Sequence, residues 1–207
     1  MRAFVTGTDT GVGKTYVTAL LARALRRIGL DTIALKPVCS GDRRDAEILL
    51  SACDGELDID DVNPAWFQMP VAPYLAARHE GRRVSISALE AWFRSVTAER
   101  QSVLVEGAGG WLVPVAPATL MADLAAALGL PVIVVVANRL GCINHTLLTI
   151  ESIRARGLDC SGLILNSMNR ESADAGLENR SLLEEFSGVP ILFEITPGQQ
   201  EIELSVA

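Results

Sequence analysis

Gly7-Thr8-Asp9-Thr10-Gly11-Val12-Gly13-Lys14-Thr15 decides how this chain folds. The β-prone run Arg2–Thr6 precedes it. After it, Val17, Leu20, Leu21, Ala24, Leu25 and Ile28 recur at three- and four-residue steps, giving one apolar helix face from about Lys14 to Ile28, with Gly29 as its stop. A strand, a glycine-rich turn and a helix in that order form a phosphate cradle. Glycines let backbone N–H groups turn inward around phosphate oxygens, and the helix N-terminus adds partial positive charge. Lys14 supplies a point charge to the β- and γ-phosphates, and the Thr15 hydroxyl suits Mg²⁺. The common spacing of such loops would put the first glycine at residue 8; here Gly7 stands one place earlier, a variant of the P-loop.

Outward from the loop, strand and helix patterns alternate. Asp31–Lys36 reads as a strand ended by Pro37, followed by a helix over Arg44–Ala52. Asp54–Pro73, with acidic residues, three prolines, Trp66 and Phe67, reads as an excursion from the core. Ser87–Ala98 reads as a helix whose Ser87 and Glu90 form a capping box. Ser102–Glu106 is a buried strand ending in a carboxylate. A helix over Met121–Leu128 stops at Gly129, and Pro131–Ala137 is a Val/Ile run of the kind found in strands covered on both faces. Asn144–Arg156 and Glu178–Phe186 read as helices, Cys160–Asn166 and Val189–Ile195 as strands. The expectation is one α/β domain over residues 1–207, P-loop NTPase-like, with a mostly parallel central sheet and helices on both faces. Ligands of such sheets bind at the carboxyl ends of the strands.

Composition narrows the function. The 207 residues carry 18 Lys and Arg against 25 Asp and Glu, a net charge of −7, which disfavours a nucleic-acid partner. The longest uncharged apolar stretch, Leu124–Ala137, falls short of the ~20 residues of a membrane span and contains Gly129 and Pro131. Neither membrane association nor a leader peptide is expected. Cys39, Cys53, Cys142 and Cys160 form no closely spaced pair, and neither His79 nor His145 adjoins one. Zinc and a disulfide framework are therefore not expected, and free thiols in a reducing cytoplasm are.

The strand ends carry the remaining candidate chemistry. Glu106 closes its strand and enters Gly107-Ala108-Gly109-Gly110, which puts a carboxylate where a nucleotide-bound metal needs one. Asp42 and Asp45 both follow the second strand, and spacing alone leaves the choice between them open. Lys36 ends that strand and should face the same crevice as Lys14. A second cation there would stabilise an anionic acceptor opposite the γ-phosphate, so Lys36 is expected to serve chemistry more than folding.

Four blocks together resemble the dethiobiotin synthetase family across nearly the whole chain. They are Val5–Thr15, Lys36-Pro37-Val38-Cys39-Ser40-Gly41, Val105-Glu106-Gly107-Ala108-Gly109-Gly110-Trp111 and Leu140-Gly141-Cys142-Ile143-Asn144-His145. The resemblance implies a homodimer that uses ATP and Mg²⁺ to convert 7,8-diaminopelargonate and CO₂ into dethiobiotin through a carbamic-phosphoric anhydride. It implies that Gly11, Val12, Gly13, Lys14, Thr15 and Tyr16 hold the phosphates. Asp45, Glu106, Gly107, Ala108, Gly109 and Asn166 would complete the ATP site, with Asn166 at the adenine. Thr15, Asp45 and Glu106 become the Mg²⁺ ligands, and Lys36 and Lys14 the catalytic cations. Thr10, Lys36 and Ser40 would contact the diamine, and Gly141, Cys142, Ile143 and Asn144 would bind its carboxylate from the partner subunit. The chain departs from the family pattern at Gly11, where many relatives carry Glu, and at Ile195-Thr196-Pro197-Gly198 beside the adenine.

The alternative is a P-loop ATPase switch of the partitioning or septum-placement type. Those proteins place a signature lysine five residues before the P-loop lysine, and here that position is Asp9.

Overall fold

The computed structural model describes residues 1–53, 57–168 and 178–204. At its centre lies a six-stranded sheet in the order β10-β9-β8-β1-β5-β2, with every neighbouring pair parallel. The strands are β1 (Arg2–Gly7), β2 (Thr32–Leu35), β5 (Ser102–Glu106), β8 (Val132–Ala137), β9 (Cys160–Asn166) and β10 (Ile191–Ile195). Every residue of β8 is buried. Successive side chains point to opposite faces, so both faces of the sheet are covered there, as its Val/Ile run implied.

The helices are α1 (Lys14–Arg27), α2 (Arg44–Ser51), α3 (Ile59–Val62), α4 (Pro73–His79), α5 (Ile86–Thr97), α6 (Met121–Leu128), α7 (Cys142–Arg154) and α8 (Asn179–Ser187). α1 packs on β1, β2 and β5, and α7 on β8 and β9. Two small sheets sit apart from the main one: β3 (Val38–Ser40) beside β4 (Ala65–Phe67), and the hairpin of β6 (Pro114–Ala116) and β7 (Thr119–Leu120).

Sheet order places the phosphate loop. β1 lies between β8 and β5, with Val5 opposite both Ile133 and Glu106. The ladder runs past the strand ends: Gly107 N–H donates to Val5 O at 2.9 Å, and Thr8 N–H to Val135 O at 3.1 Å. The turn after Gly7 and the carboxylate of Glu106 are thereby fixed side by side. The chain goes from β1 to β2 at one edge and later crosses to β8 on the other side of β1, so the crevice opens where connections diverge.

The main strands and helices lie where the sequence places them, within a few residues. The short elements do not announce themselves: α3, α4, β3, β4, β6 and β7 are too brief to show a period. The excursion over 54–73 holds α3 and β4 and leads into α4; its residues 54–56 lie outside the described ones. Two helix starts need correction. α7 begins at Cys142 rather than Asn144, because Gly141 adopts φ 88° and breaks the chain there. α5 is capped by Ser85 and not by Ser87: the Ser85 hydroxyl accepts the Ala88 N–H at 3.3 Å, and Ser87 lies inside the first turn. All four cysteines are free and buried. Among the described residues no helix is long and apolar enough to cross a membrane.

The cap assignment is testable. Ser85→Ala should lower unfolding stability by about 1 kcal/mol, the usual worth of an N-cap hydroxyl, whereas Ser87→Ala should change it by less than about half of that. Urea unfolding of both variants reads the difference.

Candidate active site

The phosphate loop owes its shape to two left-handed glycines, Gly11 at φ 73° and Gly13 at φ 87°. Gly13 is the N-cap residue of α1 and offers no side-chain cap, which leaves the helix N-terminal amides to a ligand. A Cβ on Gly13 would stand 2.2 Å from Asn166 Nδ2. A Cβ on Gly11 would meet nothing, but its backbone angle suits glycine, so the departure from the family's Glu agrees with the local conformation. Asn166, at the end of β9, donates from Nδ2 to the Val12 carbonyl at 2.8 Å and so braces the loop from the side. It also lines a cavity of about 350 Å³ with Gly11, Val12, Asn138 and Arg139. Tyr16 donates its hydroxyl to the Gln199 carbonyl, joining α1 to the segment beyond β10.

Two buried lysines meet at the strand ends. Lys14 donates to the Asp9 carbonyl at 3.1 Å. Lys36 stands between two carboxylates, with Nζ 2.8 Å from Asp45 Oδ2 and 2.5 Å from Glu106 Oε1. Thr15 donates its hydroxyl to the same Glu106 oxygen at 2.7 Å. Lys36 is 3% exposed and Glu106 is wholly buried, while Asp45 is half-buried. Burial alone would lower the Lys36 pKa, but the charges of Glu106 and Asp45 outweigh it and hold the ammonium protonated well above its usual range. Burial pushes the Asp45 carboxyl up, yet the charge of Lys36 and its hydrogen bond take it below its ordinary value. Lys14 is pushed down to about 8, first by burial and then by repulsion from Lys36.

The spacing left Asp42 and Asp45 open, and the geometry separates them. Asp42 is exposed, and its Oδ1 accepts the Arg44 N–H at 3.3 Å, an ordinary helix-start contact. Asp45 turns to Lys36. The expectation that Lys36 serves chemistry rather than folding needs amendment, because it neutralises Glu106 inside the core and so holds the fold as well.

Thr10, Lys36, Ser40, Asp45, Ala108 and Gly109 line one cavity of about 430 Å³. The sequence had marked all six. It did not mark the opposite wall, Pro70–Pro73, which enters α4; the only signal was a pair of prolines flanking two small residues. Cys39 also lines the cavity, and burial raises its thiol pKa. The Ser40 hydroxyl is buried and has no hydrogen-bond partner among the described residues. Gly141–Asn144 do not line this cavity. They form the start of α7, where Gly141 and Asn144 are exposed and Cys142 is buried, and Gly141, like Gly13, is a glycine N-cap without a side-chain bond. Trp66 and Trp111 are packing residues with satisfied N–H groups, donating to the Gly41 carbonyl and the Ser152 hydroxyl.

The oxygen atoms of Thr15, Asp45 and Glu106 fit a hard divalent cation. Glu106 Oε2 is buried and lacks a hydrogen-bond partner among the described residues, an expensive condition that a bound cation would relieve. No group of three or more His, Cys, Asp and Glu side chains converges among the described residues. Two carboxylates and one hydroxyl match Mg²⁺, which retains several waters and takes the rest of its shell from phosphates.

Comparison with known proteins follows the same lines. The family described as AAA domain matches residues 1–201. The chain is 44% identical over its full length to the ATP-dependent dethiobiotin synthetase BioD of Akkermansia muciniphila, covering 97% of that protein. It is 49% identical to the like-named protein of Anaeromyxobacter sp. over 79% of this chain and 75% of that one. Among solved structures, the septum site-determining protein MinD of Pyrococcus horikoshii, complexed with Mg-ADP, gives a TM-score of 0.64 at 20% identity, covering 96% of this chain and 82% of that one. A ParA family ATPase from Chlorobium tepidum gives 0.59 at 14% identity, covering 96% and 85%. At such identities the likeness is one of fold.

The depressed Lys14 pKa makes phosphate binding pH-dependent. Free Lys14 is half neutral near pH 8, and a phosphate anion beside it restores the charge. Nucleotide binding should take up about half a proton per site at pH 8 and almost none at pH 6.5, and affinity should fall as pH rises above 8. Calorimetry in two buffers of different ionisation enthalpy measures the uptake.

Proposed function

This chain belongs to the dethiobiotin synthetase family of ATP-dependent enzymes, and from that premise we propose how its crevice performs the reaction. One amine of 7,8-diaminopelargonate combines with CO₂ and loses a proton, giving a carbamate in the cavity of Thr10, Lys36 and Ser40. A carbamate oxygen attacks the γ-phosphorus of ATP, the bond to ADP breaks, and a carbamic-phosphoric anhydride forms. The second amine attacks the carbamoyl carbon, loses its proton and expels phosphate, closing the ureido ring.

The observation that supports this reading best is the pair of buried cations: Lys36 lines the cavity whose walls also carry Thr10 and Ser40, and Lys14, which opens α1, lies near enough for the two charges to repel. Lys14 and the amides of Gly11–Tyr16 hold the β- and γ-phosphates. Lys36 faces the oxygen that bridges acceptor and phosphorus, where a fixed cation lowers the barrier most. Thr15, Asp45 and Glu106 would hold Mg²⁺, which when bound would offset the charge of the phosphates. Gly107–Gly109 let the backbone approach the nucleotide, and Asn166 lies on the side of the base. The free, buried thiols suit a reducing cytoplasm, where we place the enzyme.

We further propose a homodimer with shared sites. The start of α7 exposes Gly141 and Asn144 and lies outside its own chain's cavity, and an uncapped helix N-terminus suits a carboxylate. In the dimer it reaches the partner's substrate.

Labelled bicarbonate, MgATP and the diamine should give labelled dethiobiotin; phosphate release without a labelled ring would sink the reading. Lys36→Met should lower turnover per nucleotide-binding site about 10²-fold. It should also lower stability by about 3 kcal/mol or more, since Glu106 loses its counter-charge.

Sharing is tested by mixing lesions. In a heterodimer of Lys14→Ala with Gly141→Asp, shared geometry gathers both lesions in one site and leaves the other whole. About half of wild-type activity should return if sites act independently. A heterodimer confirmed by mass that is no more active than its parents would rule the arrangement out.

A further inference from the structure

Lys36 leaves β2 where the sheet stops supplying partners. Pairing with β5 ends at Leu35 opposite Val105, and Pro37 comes next, which lacks an N–H and keeps the residue before it extended. Other groups must therefore hold the Lys36 backbone. Its N–H donates to the Val62 carbonyl at 2.8 Å, and its carbonyl accepts from Asn63 Nδ2 at 2.6 Å.

Asn63 is wholly buried and uses its amide in both directions. Its Oδ1 accepts from Arg43 Nε at 3.2 Å, and its backbone carbonyl accepts from the same guanidinium at 2.6 Å. Arg43 is the N-cap residue of α2, the helix that carries Asp45 in its first turn. Its guanidinium also lies 5.1 Å over the Trp66 ring and pairs with Asp60 at 2.7 Å. One buried amide thus ties the strand end bearing Lys36 to the base of the helix bearing Asp45.

We propose that Asn63 is a positioning residue for the reaction, setting the Lys36 ammonium against Asp45 and the transferring phosphoryl group. An amide of this length alone offers a donor to a carbonyl and an acceptor to a guanidinium from one planar group. Ala removes both bonds. Asp keeps the acceptor for Arg43 but sets an oxygen against the Lys36 carbonyl. Displacing a catalytic cation by about 1 Å costs on the order of 10²-fold in rate.

The inference rests on the proposed role of Lys36, so the test separates the two. Turnover is measured per nucleotide-binding site, counted by titration with a fluorescent ADP analogue, for Asn63→Ala, Asn63→Asp, Lys36→Met and Lys36→Met with Asn63→Ala. Asn63→Ala and Asn63→Asp should each lower kcat about 10-fold or more while leaving the KM for ATP within about twofold. In the Lys36→Met background, Asn63→Ala should cost less than about twofold, because no ammonium remains to misplace. A merely structural asparagine would change the number of binding sites and leave turnover at each one intact. Near-normal kcat per site in both Asn63 variants, or an equal loss in both backgrounds, overturns the inference while leaving Lys36 in place. Near-normal kcat in Lys36→Met overturns the role of Lys36 and this inference with it. If the double variant binds no nucleotide, agreement between the two Asn63 single variants decides.

Discussion

A charged lysine buried between two carboxylates is the constraint on which the site depends. Lys36 is 3% exposed and Glu106 wholly buried, and either ion left alone in the interior would cost several kcal/mol. The two must therefore meet, and Asp45 must come with them, since it supplies the second oxygen at Lys36 Nζ. Three separate stretches of chain, the end of β2, the end of β5 and the first turn of α2, are fixed relative to one another by that requirement. Lys14, arriving from the phosphate loop, makes two cations against two anions. Its pKa is depressed first by burial and then by repulsion from Lys36, so a phosphate that enters finds a cation with little solvent of its own to lose.

The sheet supplies what the charges cannot. β1 sits between β5 and β8, so the turn after Gly7 and the carboxylate of Glu106 emerge together. Asn166, from the end of β9, reaches across to the Val12 carbonyl and fills the space that a side chain at Gly13 would need, so the loop is held from one side by the sheet and from the other by α1. Catalysis that works by fixed charge needs its dipoles and cations in place before the transition state forms. Here they are held by hydrogen bonds to strand ends rather than by mobile side chains.

How much of this could be read beforehand follows from element length. The Val/Ile strand Val132–Ala137, the amphipathic face of α1 and the glycines around Lys14 repeat often enough to leave a pattern, and each lies where the sequence placed it. Lys36 and Glu106 were legible because each ends a strand whose neighbours face one crevice. Asp45 was not separable from Asp42 by spacing, since both precede or open the same helix and only the direction of the side chain tells them apart. Asn63 and Arg43 left no trace, and the Pro70–Pro73 wall only its two prolines, because their roles depend on contacts between short elements distant in sequence. Ser85 was passed over for Ser87 because a hydroxyl three residues before a glutamate makes a capping pattern whether or not the chain turns there.

The likeness to septum-placement and partitioning ATPases and the membership of a synthetase family are compatible once the second cation is located. Members of that ATPase class set a lysine five residues before the P-loop lysine. This chain has Asp9 there, whose carboxylate accepts the Thr10 N–H and whose carbonyl accepts Lys14. The loop carries an acid at that position, and the chain brings its second cation from the end of β2. Lys36 lines the cavity that the proposed function gives to a small acceptor. A cation in that place would act on a second substrate as well as on the nucleotide. In the proposed reaction the shared scaffold would direct the γ-phosphate to a carbamate oxygen beside Lys36. In the proposed dimer the partner offers the uncapped helix start at Gly141, whose free amides and partial positive charge suit a carboxylate.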